Sequence, residues 1–281
     1  MVHKLMDRGV LVNEEETMGM GVCLAVSEGR FKVALALLDR GAPIEEINLH
    51  MVFPSIYQDE YNVEEMDRGD DRRQDRAELL LRVVTAIGHL ESMEVWDSEY
   101  ESTCLFQVAA YAFDANCVQL LLDAGARVDS AVQYFNPDLY NQPAVPQTMM
   151  WGILNIADRH RPDLSTMSTG RLMELKDSIR LLLQHGASLD SLNGNESALE
   201  FACSHPKILR SGLLECLVKN ASASNVSLQH IERVMKRCGD DVKVDTAVLL
   251  KQMHETVSEG TMKVKTENRG EEGDNEVERS E

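Results

Sequence analysis

The densest group of side chains that could do chemistry is a run of carboxylates in the first third of the chain. It comprises Asp59, Glu60, Glu64, Glu65, Asp67, Asp70 and Asp71. Carboxylates spaced as D-x-D-x-D-G would form a calcium-binding loop. These residues do not have that spacing, so the run is interpreted as a charged loop or, alternatively, as a docking surface for a basic partner.

Histidine and cysteine, the usual zinc ligands, are scattered along the chain. The eight histidines never pair at ligand spacing, and no C-x-x-C occurs among Cys23, Cys104, Cys117, Cys203, Cys216 and Cys238. We expect these cysteines to be reduced and mostly buried as small hydrophobic side chains. A Gly-rich phosphate loop, a G-x-S-x-G elbow and an H-E-x-x-H helix are also missing. The sequence therefore predicts a protein that is not an enzyme and that holds no cofactor and no metal.

The charge of the chain points to the kind of partner. The formal net charge is -19 over 281 residues. Such a field repels phosphate backbones and anionic lipid, so we expect no direct nucleic-acid binding and no membrane association. It favours a protein partner with a basic surface. No apolar signal core is visible, and we expect an intracellular protein, either cytoplasmic or nuclear.

The stretch LLQHGASLDSLNGNESALEFA, residues 182–202, shows which elements build the chain. Ile179, Leu182 and Leu183 form one apolar stripe, which predicts a helix. Gly186 follows the end of that helix, at a position where a left-handed turn favours glycine. Ser197 and Glu200 then have the spacing of a capping box, which indicates the start of the next helix.

This helix–Gly–Ala phrase recurs. Clear copies are ALLDRGAPI ending at Ile44, LLLDAGARV ending at Val128 and LLLQHGASL ending at Leu189, and weaker copies are KLMDRGVLV at the start, RVVTAIGHL near Gly88 and CLVKNASAS near Asn220. In the last copy asparagine replaces glycine, and asparagine tolerates a left-handed conformation well. The copies resemble the ankyrin repeat, a unit of roughly 33 residues with two antiparallel helices and a hairpin loop. The resemblance implies an all-α fold, an ankyrin-type solenoid of antiparallel helix pairs with hairpin loops.

The spacing of the phrases predicts the domain layout. About six degenerate repeats are expected over residues 1–222, with insertions near 57–76 and 158–170 where neighbouring phrases lie far apart. Residues 223–258 are predicted to form helices that cap the stack, and 259–281 a disordered acidic tail. The first copy begins in the middle of a repeat, so we expect an upstream segment.

The resemblance implies protein binding through the hairpin tips and the inner-helix surface, and hence a non-enzymatic scaffold. The residues that follow the Gly–Ala turns are the candidates for partner binding: Glu45, Glu46, Asp129, Ser130, Asp190, Ser191 and Asn193. Trp96 and Trp151 either fill the core or anchor an interface. Two alternatives are a transcriptional coregulator of the ankyrin-containing type and an adaptor that presents substrates for ubiquitin transfer. The first needs a basic region before the repeats and the second a recruitment box after them, and neither is recognised in the sequence.

Overall fold

A computed structural model provides the fold. It describes residues 15–44, 47, 70–87, 94–97, 100–104, 114–126, 128, 132–134, 145–159, 169–193, 195–238 and 244–273. Most of these residues are helical, which confirms the all-α class. The helices are α1 (Glu15–Ser27), α2 (Phe31–Leu38), α3 (Asp70–Ile87), α4 (Ala115–Asp123), α5 (Met149–Arg159), α6 (Thr169–Gln184), α7 (Ala198–Ser204), α8 (Pro206–Ser211), α9 (Leu213–Asn220), α10 (Leu228–Cys238) and α11 (Val244–Gly273). The short strands are β1 (Glu94–Asp97), β2 (Tyr100–Cys104), β3 (Val132–Tyr134), β4 (Val145–Gln147), β5 (Leu192–Asn193) and β6 (Glu196–Ser197).

The chain divides into two compact units. Residues 1–144 together with 173–178 form the first unit, and residues 145–172 together with 179–281 form the second. Two of the strand pairs are antiparallel hairpins: β1 with β2 in the first unit, and β5 with β6 in the second.

In the first unit the helices pack in chain order. Helix α1 contacts α2, α2 contacts α3, and α3 contacts α4. The apolar side chains between them are fully buried, as shown by Val22, Ala34, Leu79 and Val118. Each helix therefore buries its apolar stripe mainly against its neighbours in sequence.

Helix α4 begins with a carboxylate that serves two partners. The Oδ1 atom of Asp114 accepts a hydrogen bond from the backbone N–H of Cys117 at 3.1 Å, and Oδ2 pairs with the Arg76 guanidinium. Asp114 is 3% exposed, and its pairing with Arg76 offsets the cost of burying a charge. Burial is the main reason that the pKa of the Cys117 thiol lies well above its ordinary value, so this cysteine is a packing residue.

In the second unit, helix α7 lies at the centre. It contacts α5, α8, α9 and α10, and the long helix α11 packs against α9 and α10. The buried side of α11 is formed by Leu250, Met253 and Val257, which recur at helical spacing.

The glycine turns predicted in the three clear copies are confirmed, whereas Gly9 and Gly88 of the weaker copies lie outside the described residues. Gly41, Gly125 and Gly186 have φ values of 88°, 92° and 89°, in the left-handed region. At each of these turns the glycine N–H donates to the carbonyl three residues earlier, and the N–H of the next residue, an alanine, donates to the carbonyl five residues earlier. This pair of bonds is the Schellman motif, which satisfies carbonyls at a helix end.

The weaker copy at Asn220 differs. The asparagine was predicted to adopt a left-handed turn, but it is the last residue of α9, and Ala221 after it is extended, with φ -73° and ψ 147°. The Asn220 side chain instead donates to the carbonyl of Cys216 at 2.7 Å. Because Ala221 is extended and not left-handed, the helix ends here without a Schellman motif.

Two boundaries also differ from the sequence prediction. Helix α3 begins at Asp70, so residues 70–76 of the predicted insertion are helical, and Asp70 and Asp71 do not lie in a loop. Helix α11 continues to Gly273, so residues 259–273 are helical where a disordered tail was predicted. These residues include no proline and several strong helix formers, which allow the helix to continue past Val257.

Candidate partner-binding surface

The hairpin of β5 and β6 follows the Gly186 turn in the second unit. Leu192 pairs with Ser197 and Asn193 with Glu196 in an antiparallel register. Leu192 is 54% exposed, whereas its pairing partner Ser197 is fully buried. The hairpin thus offers an apolar side chain together with polar backbone at the position where the sequence predicted a binding tip.

Asp190 has a structural role just before the hairpin. Its Oδ2 atom accepts the backbone N–H of Ser227 at 2.8 Å, directly before the start of α10. The neighbouring Ser191 donates its backbone N–H to the hydroxyl of Ser188 at 3.1 Å. Asp190 and Ser191 are both half-buried. The carboxylate predicted to bind a partner therefore helps to fix the entry of a later helix.

A cluster of three buried polar residues, Ser197, Glu200 and His230, lies beneath the hairpin; we call it the interior cluster. The Ser197 hydroxyl accepts the backbone N–H of Glu200 at 3.1 Å, and the Glu200 carboxylate accepts the backbone N–H of Ser197 at 2.9 Å. These two bonds confirm the predicted capping box. The Nε2 atom of His230 lies 2.8 Å from the same hydroxyl. The cluster therefore ties the start of α7 to the first turn of α10.

Arg237 neutralises the interior cluster from its outer edge. Its guanidinium donates to Oε1 of Glu200 at 2.9 Å. Burial alone would raise the pKa of Glu200, but the backbone N–H of Ser197 and the Arg237 guanidinium outweigh it, and the pKa lies below its ordinary value. Glu200 is thus held as a carboxylate in a buried position.

A second set of the same residue types, Glu196, Ser204 and His205, lies at the surface; we call it the surface strip. The Ser204 hydroxyl donates to Oε1 of Glu196 at 3.1 Å, and its oxygen lies 3.0 Å from Nδ1 of His205. That same Nδ1 faces the carbonyl of Phe201 at 2.9 Å, so Nδ1 carries the proton and donates. The strip runs from the hairpin along α7 to its C-terminal end.

Aromatic rings support the surface strip from below. The His205 ring stacks on Phe201, with centroids 3.6 Å apart and an interplanar angle of 16°. Phe201 in turn meets Trp151 of α5 edge to face at 5.2 Å. Trp151 is half-buried, and its contact with the buried Phe201 favours the packing role over the interface role. Its indole N–H and the side-chain N of Asn155, one turn later, are both buried and have no hydrogen-bond partner among the described residues.

Neither set has the geometry of a catalytic triad. In the interior cluster the carboxylate bonds to backbone and to Arg237, and the serine is fully buried. In the surface strip the carboxylate contacts the serine and not the imidazole. A triad requires the carboxylate on the imidazole nitrogen opposite the nucleophile. In the part of the chain that the structure describes, no group of three or more potential ligands could hold a metal ion.

The predicted binding residues are only partly placed. Glu45, Glu46, Asp129 and Ser130 lie outside the described residues, as does the side chain of Trp96. Asn193 forms part of β5. Sequence reasoning did not single out His230, Arg237 or Asn225. The sequence does contain a signal for His230, because Ser227 and His230 have the same spacing as the helix cap formed by Ser197 and Glu200.

Neither the models of known protein families nor the curated proteins give a match to this chain. Within the described ranges no helix combines the length and the apolar character that crossing a bilayer would require.

Proposed function

We propose that this chain is a protein-binding scaffold built from ankyrin-type stacked helix pairs. The observation that carries the proposal is the way in which two successive turns are joined by Asn225. This residue lies in the loop after α9 and is 1% exposed. Its side chain donates to the carbonyls of Leu183 at 2.8 Å and Ala187 at 3.0 Å, on either side of the Gly186 turn.

The backbone continues the same contact. The carbonyl of Asn225 accepts the N–H of Leu189 at 2.8 Å. Side-chain and backbone bonds thus place the loop after α9 on the turn after α6, three helices earlier. Stacking of equivalent turns supports a repeat architecture, in which each unit contacts mainly its neighbours.

A second contact of this kind lies at the helix starts. Ser197 caps α7 and Ser227 caps α10, 30 residues later (227 − 197), and His230 of the later start bonds to Ser197 of the earlier one. Helices α10 and α11 then pack on α7 and α9. We therefore infer that residues 223–258 form one more helix pair of the stack, with the capping role predicted for them.

The hairpin of β5 and β6 is the surface that we assign to partner binding in the second unit. Exposed Leu192 lies beside polar groups, a mixture typical of interfaces between proteins that also exist alone. We propose a protein partner with a basic surface, since the chain carries a net charge of -19.

Crosslinking and affinity capture from the native cell, with identification by mass spectrometry, tests the proposal. The full chain is compared with Leu192→Ser and with a matched control, Val248→Ser, since Val248 of α11 is 50% exposed. We expect a protein that is captured by the parent and the control but lost with Leu192→Ser. Capture of no protein, or equal capture by all three chains, would contradict the assignment of the hairpin.

A further inference from the structure

The segment around the hairpin is acidic, and its carboxylates differ in their bonding partners. Residues 187–206 contain Asp190, Glu196 and Glu200 and no lysine or arginine. Asp190 accepts a backbone N–H, and Glu200 pairs with Arg237. Glu196 contacts a neutral hydroxyl and pairs with no cation among the described residues. One carboxylate of this segment therefore remains available for a cation from outside.

The neighbours of Glu196 define what kind of cation would fit. One hydroxyl oxygen, that of Ser204, lies 3.1 Å from the Glu196 carboxylate and 3.0 Å from the His205 ring nitrogen. Carboxylate and imidazole are thus held side by side. Phe201 covers one face of the half-buried imidazole, so a planar group from a partner could stack only on the opposite face.

We propose that the surface strip binds an arginine side chain of the partner protein, with the guanidinium stacked on the His205 ring and paired with the Glu196 carboxylate. The inference rests on the proposed function, because it names the chemistry of the partner. Arginine fits better than lysine, since a planar guanidinium both stacks on a flat ring and presents paired donors to a carboxylate. A compact ammonium group could do only one of the two.

The cations nearest in sequence to the surface strip are Lys207 and Arg210, and both bond elsewhere. The Lys207 ammonium donates to the carbonyl of Asp158 at 2.8 Å, and Nε of Arg210 donates to the carbonyl of Pro206 at 3.2 Å. Neither bonds to Glu196. An incoming arginine would thus not have to displace an existing ion pair.

The test uses labelled 12-residue peptides of glycine and serine that carry three arginines, three lysines or three glutamates at the same positions. Fluorescence anisotropy measures their binding to the full chain at near-physiological salt. We expect the arginine peptide to bind about 2–5-fold more tightly than the lysine peptide, the range that an exposed stacking contact supports. Glu196→Gln should weaken the arginine peptide by a similar factor, about 2–5-fold.

The matched control is Glu215→Gln, which makes the same change of charge at an exposed carboxylate of α9. Equal weakening by the two variants, equal binding of the arginine and lysine peptides, tighter binding of the glutamate peptide, or no binding would each overturn the inference. His205→Ala should remove the preference for arginine over lysine. If cellular capture yields a partner whose binding depends on Leu192 but not on Glu196, the scaffold proposal stands and the arginine site does not.

Discussion

The interior cluster and the surface strip contain the same three residue types, a serine, a histidine and a glutamate, within hydrogen-bond distance. In the interior cluster Ser197, His230 and Glu200 are 0%, 3% and 7% exposed. In the surface strip Ser204 is exposed, and Glu196 and His205 are half-buried. Losing a hydrogen bond destabilises the fold where water cannot replace the lost partner. Where water can replace it, losing a bond of similar length changes the stability very little. The comparison therefore predicts stability effects from one set and binding effects from the other.

The largest difference is expected between two serine substitutions. Ser197→Ala removes the cap of α7 and leaves the buried Nε2 of His230 without its partner, so we expect a loss of about 2 kcal/mol in the free energy of unfolding. Ser204→Ala should change this free energy by less than about 0.5 kcal/mol, because its site is exposed. Urea unfolding followed by circular dichroism measures both. Equal losses would mean that burial does not separate the two sets.

The glutamates give the next largest contrast. Glu200→Gln keeps the shape of the side chain but removes the charge that Arg237 faces, and we expect a loss of about 1.5 kcal/mol. Glu196→Gln should cost less than about 0.5 kcal/mol. The same unfolding experiment compares them. A larger loss at Glu196 would assign the structural role to the surface strip.

The dependence of stability on pH should also distinguish the parent from Glu200→Gln. The pKa of Glu200 is lower in the folded chain than its ordinary value of 4.5, so its contribution to stability is present above that value. This contribution is lost as the pH falls through the folded pKa. We expect the unfolding free energy of the parent to decline more steeply than that of Glu200→Gln below about pH 5, near the unfolded pKa. Parallel pH profiles would contradict the pairing with Arg237.

The smallest predicted effect concerns the turn before the hairpin. Gly186→Ala places a Cβ at φ 89°, and we expect a loss of about 1 kcal/mol although nothing lies within 4 Å of the new atom. Gly170→Ala, within α6 and equally uncrowded, should instead stabilise the chain by roughly 0.5–1 kcal/mol. Thermal unfolding of both variants measures the opposite signs. A loss at both positions would show that the positive φ of Gly186 does not set the cost.

The parts of the fold that the sequence predicted are those specified by neighbouring residues. The Gly186 turn and the capping box of Ser197 and Glu200 each depend on bonds within a few positions, and both are confirmed. The end at Asn220 was predicted wrongly, because the residue after it, Ala221, is extended and not left-handed.

The remainder depends on contacts between distant parts of the chain. The bonds from His230 and Arg237 to the first residues of α7 connect positions more than thirty residues apart, and no local spacing specifies such pairs. Asp190 was chosen for its position after a turn, but its partner, the N–H of Ser227, lies 37 residues away. A sequence pattern could therefore place the hairpin but could not say which of its acids are already bound.

The reach of Asn225 has a consequence for the order of events during synthesis. The carbonyls of Leu183 and Ala187 gain their side-chain donor only when Asn225 has been made, 42 residues after Leu183. At a translation rate of about 5–20 residues per second, Asn225 is added roughly 2–8 s after Leu183. Over that interval the nascent helix end depends on its own Schellman turn and on water. The loop that contains Asn225 therefore stabilises the end of α6 only some time after that helix has been translated.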